Sequence, residues 1–168
     1  MFRAELAHEA RTRNAAEIGS LLGPATELRR YVALEYADHL TAAHSDDAGP
    51  TSRDQRQDFD RQVKEADAAL RSVTHAATRL AVTGNDAELS EALHGLVDAL
   101  STLTGWARRK SEMSTIIKLR SDRPLEELEQ LEDDRNDASA ALSKSAKEVD
   151  AYLSKLRDVG ARMADISA

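Results

Sequence analysis

Residues 138–166 read ASAALSKSAKEVDAYLSKLRDVGARMADI, and within them Ala138, Leu142, Ser145, Val149, Tyr152, Leu156, Val159, Met163 and Ile166 follow one another at steps of mostly four and three. That spacing puts one apolar seam along a long helix, the pattern of coiled-coil packing. The rhythm returns upstream in Phe59, Val63, Ala66, Leu70, Val73, Ala77 and Leu80, and again in Leu89, Leu93, Leu96, Leu100 and Leu103. Three long helices are therefore predicted to pack lengthwise.

Turn-forming residues and helix caps mark the remaining boundaries. His44 to Thr51 collects Ser45, Asp46, Asp47, Gly49 and Pro50 and reads as a loop. Helix 1 is expected over about 2–43, with Ile18, Leu21, Leu28, Val32, Tyr36 and Leu40 facing inward and a kink or split at Gly23-Pro24. Helix 2 is expected over about 52–83, with Thr51 or Ser52 as cap and Gln55 at capping-box spacing. Gly84 is assigned the left-handed C-terminal position, and Asn85 with Glu88 the cap of helix 3, so that helices 2 and 3 form a tight antiparallel hairpin. Helix 3 spans about 86–119 with a break expected near Gly105, where the stripe shifts to Trp106, Met113, Ile116 and Ile117. Helix 4 spans about 122–166, capped by Ser121 or Asp122, with Pro124 in its first turn and Glu126, Glu127 and Glu129 where the helix dipole favours negative charge.

Composition agrees with an all-α chain. The 168 residues suit one domain, and at 4% aromatic and 32% charged, with Ala and Leu supplying most of the apolar share, they resemble a helical bundle. The fold expected is an all-α, antiparallel up-down bundle of about four long helices forming a single domain over 1–168. The alternative sends the seam of the last helix into a coiled coil with a second copy of the chain.

Several function classes are disfavoured at this level. No cysteine is present, so there is no disulfide framework or thiolate metal site. A formal charge of −7 argues against binding nucleic acid, whose phosphates call for a basic face. No apolar run approaches the roughly 20 residues that cross a bilayer, so no membrane insertion is expected. A cytoplasmic chain is the expectation, unless a segment preceding Met1 tethers it to a membrane.

Candidate chemistry is thin. Glu5 with His8 and Glu91 with His94 have the Glu-x-x-His spacing of di-iron bundles, but the motif needs a further Glu on each of two other helices in an order this chain does not offer. Both read as solvated histidines. Glu35 and His39, four apart with Asp38 beside them, read as a surface pair flanking the seam. His44 to Asp47 lacks the Gly and Glu spacing of a calcium loop. There is no Gly-x-Ser-x-Gly elbow and no phosphate loop, so no catalytic residue, cofactor or metal is assigned, and the chain is read as a non-enzyme.

Charge supplies the remaining candidates. Arg108, Arg109, Lys110, Lys118, Arg120 and Arg123 form a basic stretch, followed at once by Glu126, Glu127, Glu129, Glu132, Asp133 and Asp134. Facing helix ends that complement their dipoles explain this reversal, and a docking patch is the functional alternative. Arg29 and Arg30 form a second basic pair. The anion- or partner-contacting candidates are thus Arg29, Arg30, Arg108, Arg109 and Lys110.

Arg29-Arg30-Tyr31, Leu40-Thr41-Ala42-Ala43, the hairpin Leu80 to Asn85 and Glu91-Ala92-Leu93 through Leu100 together resemble a group of uncharacterised actinobacterial helical proteins, often membrane-anchored. The resemblance covers about residues 25–105 and implies a fold but no activity. A fainter similarity runs to the nitrate- and nitrite-sensing helical domains of bacterial receptors, whose inward arginines bind the anion. Their Glu-Arg signature would fall at Glu35-Tyr36, where this chain has no arginine. The function expected is a bundle that contacts another protein or itself through helix 4; the alternative is a small-anion-sensing input domain.

Overall fold

Leu89, Leu93, Leu96, Leu100 and Leu103 are all fully buried, as are Val149 and Leu156 facing them from the last helix. Burying a leucine side chain contributes about 1.5–3 kcal/mol, so these stripes are the main cohesive term of the molecule. A computed structural model describes residues 2–43, 53–119 and 124–165, with side chains from residue 5 onward. The loop expected at 44–51, the Thr51/Ser52 and Ser121/Asp122 caps, Arg120, Arg123 and Ile166 lie outside the described residues.

The described residues form four helices and no strand. The first is joined from pieces: α1 (Phe2–Tyr31), a π-helical turn (Val32–Tyr36) and α2 (Ala37–Ala43). The others are α3 (Arg53–Thr83), α4 (Ala87–Leu119) and α5 (Leu125–Asp165). Cross-helix pairs give the directions. Glu91 with Lys155 and Glu88 with Arg162 tie α4 to α5, while Arg29 meets Asp150 and Gly160 lies against Ile18 between α1 and α5. Glu17 with Arg79 and Tyr36 with Asp67 join the first helix to α3. Every consecutive pair therefore runs antiparallel, the up-down bundle expected of short connections.

Three local details differ from the sequence reading. Pro24 sits inside α1 without ending it, and the join lies further on, at Val32–Tyr36. Gly23 and Pro24 face solvent, where the carbonyl that Pro24 leaves without a donor can be hydrated. At the α3–α4 turn, the left-handed residue is Asn85 (φ 49°) rather than Gly84. Gly84 is needed for space instead, since a Cβ there would lie 2.8 Å from both the Leu80 carbonyl oxygen and a Leu89 methyl. Asp86 is the cap, its Oδ1 accepting the Leu89 amide at 2.8 Å, and the buried Asn14 of α1 donates to the Gly84 carbonyl at 3.0 Å. Finally, α4 runs unbroken through Gly105, because Ala107 and Ser111 continue the buried stripe that Leu103 leaves.

Tyr152 is only half-buried, and its ring lies over Gly95 so closely that a Cβ at 95 would fall 2.1 Å from Cε1. Gly95→Ala thus sets a clash costing about 1–3 kcal/mol against roughly 1 kcal/mol of helix propensity gained. We expect a net loss of stability in the parent and a gain in a Tyr152→Ala background, read from denaturant melts of the four proteins. A gain in both backgrounds would contradict the ring-over-glycine packing.

Candidate functional site

Leu28, Val32, Tyr36 and Leu40 succeed one another at steps of four. On an ordinary α-helix each such step overshoots a full turn by about 40°, which would carry the stripe off the core. The π-turn absorbs the overshoot. With one extra residue in the turn, Val32 and Tyr36 are both buried (2% and 1% exposed), and Ala37 and Thr41 follow on the same face. Single π-turns inside α-helices recur at functional sites.

The π-turn delivers the Tyr36 hydroxyl between α3 and α4. It donates to Asp67 Oδ1 at 2.9 Å and accepts from Arg108 Nε at 3.2 Å, while Arg108 Nη2 donates to the same Asp67 oxygen at 3.0 Å. Three helices are thereby pinned by one closed triangle. Burial raises the Tyr36 phenol above its usual range, opposed in part by the Arg108 hydrogen bond, and Tyr36 in turn raises the Arg108 guanidinium further. Close by, Thr41 donates to the Ala37 carbonyl at 2.8 Å and meets the Ser111 hydroxyl at 2.9 Å, a buried polar rung between α2 and α4.

An aromatic cluster flanks this network. Tyr31 packs edge-on against Tyr36, its hydroxyl meets His39 Nδ1 at 2.9 Å, and the His39 ring stacks on Phe59 at 4.5 Å. His39 therefore bonds to Tyr31 rather than pairing with Glu35, which is exposed. Burial, then the charge of Glu35, pushes the Tyr31 phenol up to about 12. Raised phenol values mean that the folded state holds its protons longer than the unfolded one. Stability is accordingly full below the ordinary phenol value and falls as pH rises toward about 12. Replacing Tyr31 with Phe should flatten that alkaline fall, measured as the melting midpoint against pH; an unchanged slope would contradict the assignment.

Outside the triangle, a groove of about 940 Å³ runs between α3 and α4. Leu40, Val63 and Ile116 line it together with Gly105, where a Cβ would meet nothing within 4 Å. Arg108 and Arg109 stand on the α4 wall of the groove and Lys64 on the α3 wall. The lining of the groove reaches past the buried Val63 and Met113 to Asp60 and Ile116, and there the core gives out. The last fully buried positions are Val63 on α3, Met113 on α4 and Ala138 on α5, yet the helices continue over 53–62, 114–119 and 125–137. Leu128 and Leu131 prolong the α5 seam but are only half-buried, as are Ile116 and Ile117, while Leu119 (58%) and Leu125 (71%) are exposed.

The candidate cations are divided between places. Arg29, between α1 and α5, donates to Asp150 and to the Ala146 carbonyl, whereas Arg30 is exposed and pairs with Glu27 in its own helix. Arg108 and Arg109 share the groove, with Asp67 and Glu112 as their respective partners, and Lys110 turns to Asp38 of α2. Arg108, Arg109 and Lys110 lie turns before the end of α4, leaving Lys118 as the cation of its last turn. Glu91 is engaged by Lys155, His94 is exposed, and among the described residues no cluster of three or more acidic or histidine ligands could hold a metal. No described helix is long and apolar enough to cross a membrane. The chain matches no protein-family model, no curated protein and no solved structure.

Proposed function

We propose that this chain is a non-catalytic helical bundle that works by contacting protein, and that the contact is made at the open end. One observation carries the reading: α3, α4 and α5 extend past the last layer of the core with their apolar residues half-covered. A helix that continues beyond its core loses the burial that stabilises it, and contiguous part-exposed apolar residues rimmed by charge mark interaction surfaces. Arg108, fixed from behind by Tyr36 and Asp67 and still half-exposed, supplies the kind of rigid arginine that anchors such contacts. The anion-sensing alternative draws less support, because Arg29, Arg30, Arg108 and Arg109 already meet carboxylates.

The test is photo-crosslinking in cells from a probe at Leu128, with an exposed position far from this end, His75, as control. One or a few discrete adducts from position 128 alone would support the reading. Equal or absent labelling from the two positions would overturn it.

A further inference from the structure

We infer that a recess at the other end of the bundle binds a free α-amino acid, its carboxylate on Arg11 and its ammonium group on Asp86. This goes beyond the contact surface and does not depend on it, because the recess joins the first turns of α1, the α3–α4 turn and the last turns of α5. Its volume, about 400 Å³, falls within the roughly 300–1,000 Å³ of small-molecule sites. Ala10, Val159 and Met163 supply its apolar lining.

Two opposite charges line this recess without meeting. Arg11 is exposed and has no ion-pair partner among the described residues. Asp86 caps α4 by accepting the Leu89 amide at Oδ1, and no described cation forms an ion pair with it. The remaining pair of charges in the lining is closed, with Arg162 donating to Glu88 at 2.7 Å. Asn14 lines the recess at 3% exposure, and its Nδ2 is taken by the Gly84 carbonyl. Its Oδ1 makes no described hydrogen bond, yet no described side-chain polar atom is sealed in without a partner, so that oxygen opens on the recess as a second acceptor for an ammonium group.

The balance of charge selects the ligand. A bare anion drawn to Arg11 would face the Asp86 carboxylate in the same recess, and a bare cation at Asp86 would face Arg11. A small molecule that carries both charges a few bonds apart suits both walls, and a hydrocarbon side chain adds contact with the apolar lining. Arg11 and Asp86 are both exposed, so their ion pairs with the ligand are modest and the affinity expected is of millimolar order.

Titration of the full chain with L-leucine, followed by amide NMR, tests this. Saturable shift changes are expected at Gly84, Asn85 and the Asn14 side-chain amide, with Leu128 at the far end unmoved. Leucinamide lacks the carboxylate and N-acetyl-leucine lacks the ammonium group, and each should bind at least about tenfold more weakly than leucine. Arg11→Gln should reduce leucine to the affinity of leucinamide. Asp86→Asn, which keeps a capping side chain, should reduce leucine to the affinity of N-acetyl-leucine. No saturable change with L-leucine, L-alanine or glycine at tens of millimolar overturns the proposal. So does equal binding of leucine and its two derivatives, or undiminished binding of leucine to both variants. Crosslinking from position 128 reads the opposite end of the bundle, so neither result decides the other.

Discussion

Leu156→Asp abolishes the cooperative melt in this account, whereas Leu131→Asp, in the same seam of the same helix, leaves it almost unchanged. Leu156 is fully buried, in the cluster that also holds Leu93, Leu96 and Val149. A carboxylate placed there loses the leucine's burial and gains no partner, a combined cost of several kcal/mol. A chain of this size has only about 5–15 kcal/mol of stability in total. Leu131 lies beyond Ala138, where the core has ended, and its half-exposed carboxylate would remain hydrated. Circular-dichroism melts of the two variants against the parent make the comparison. An unchanged melt in Leu156→Asp would remove the seam from the core, and a collapse in Leu131→Asp would extend the core past Ala138.

At Tyr36, removal of the ring and removal of the hydroxyl are expected to cost different amounts. Tyr36→Ala empties a site that is 1% exposed and should destabilise the bundle by about 3–5 kcal/mol. Tyr36→Phe keeps the ring and removes the hydroxyl that joins Asp67 to Arg108, for which about 1.5–3 kcal/mol is expected because both partners are charged. The salt bridge left behind is half-exposed on the Arg108 side and contributes little by itself. Denaturant melts separate these terms, and a double-mutant cycle of Tyr36→Phe with Asp67→Asn should show coupling of about 0.5–3 kcal/mol. Additive losses would mean that the triangle is not one unit.

The seams were legible because apolar side chains large enough to register recur at helical spacing, and the α4 leucines named from the sequence are all buried. Small residues hid the rest. Ala107 and Ser111 carry the α4 stripe past Gly105, and Ala25, fully buried between Leu21 and Leu28, holds the place of a larger side chain in α1. Leu153 is buried beside the half-buried Tyr152 because the ring has to lie over Gly95, a contact between helices that spacing along one helix does not reveal. The π-turn left a readable trace in the four-residue steps from Leu28 to Leu40, but its consequence did not: Asp67 is one of many acidic residues until Tyr36 and Arg108 arrive from two other helices. Nor does the seam announce where the core stops, since Leu128 and Leu131 keep its rhythm beyond Ala138, the last buried position of α5 on that side.

Amide hydrogen exchange along α5 of the dilute chain is the most direct measurement of where the core ends. Strong protection through residues 142–159, falling to weak protection over 125–137, is the result this account predicts, with the step near Ala138. Uniform protection along the whole of α5 in the dilute chain would mean that its first turns are already packed, and would contradict an open end awaiting a partner.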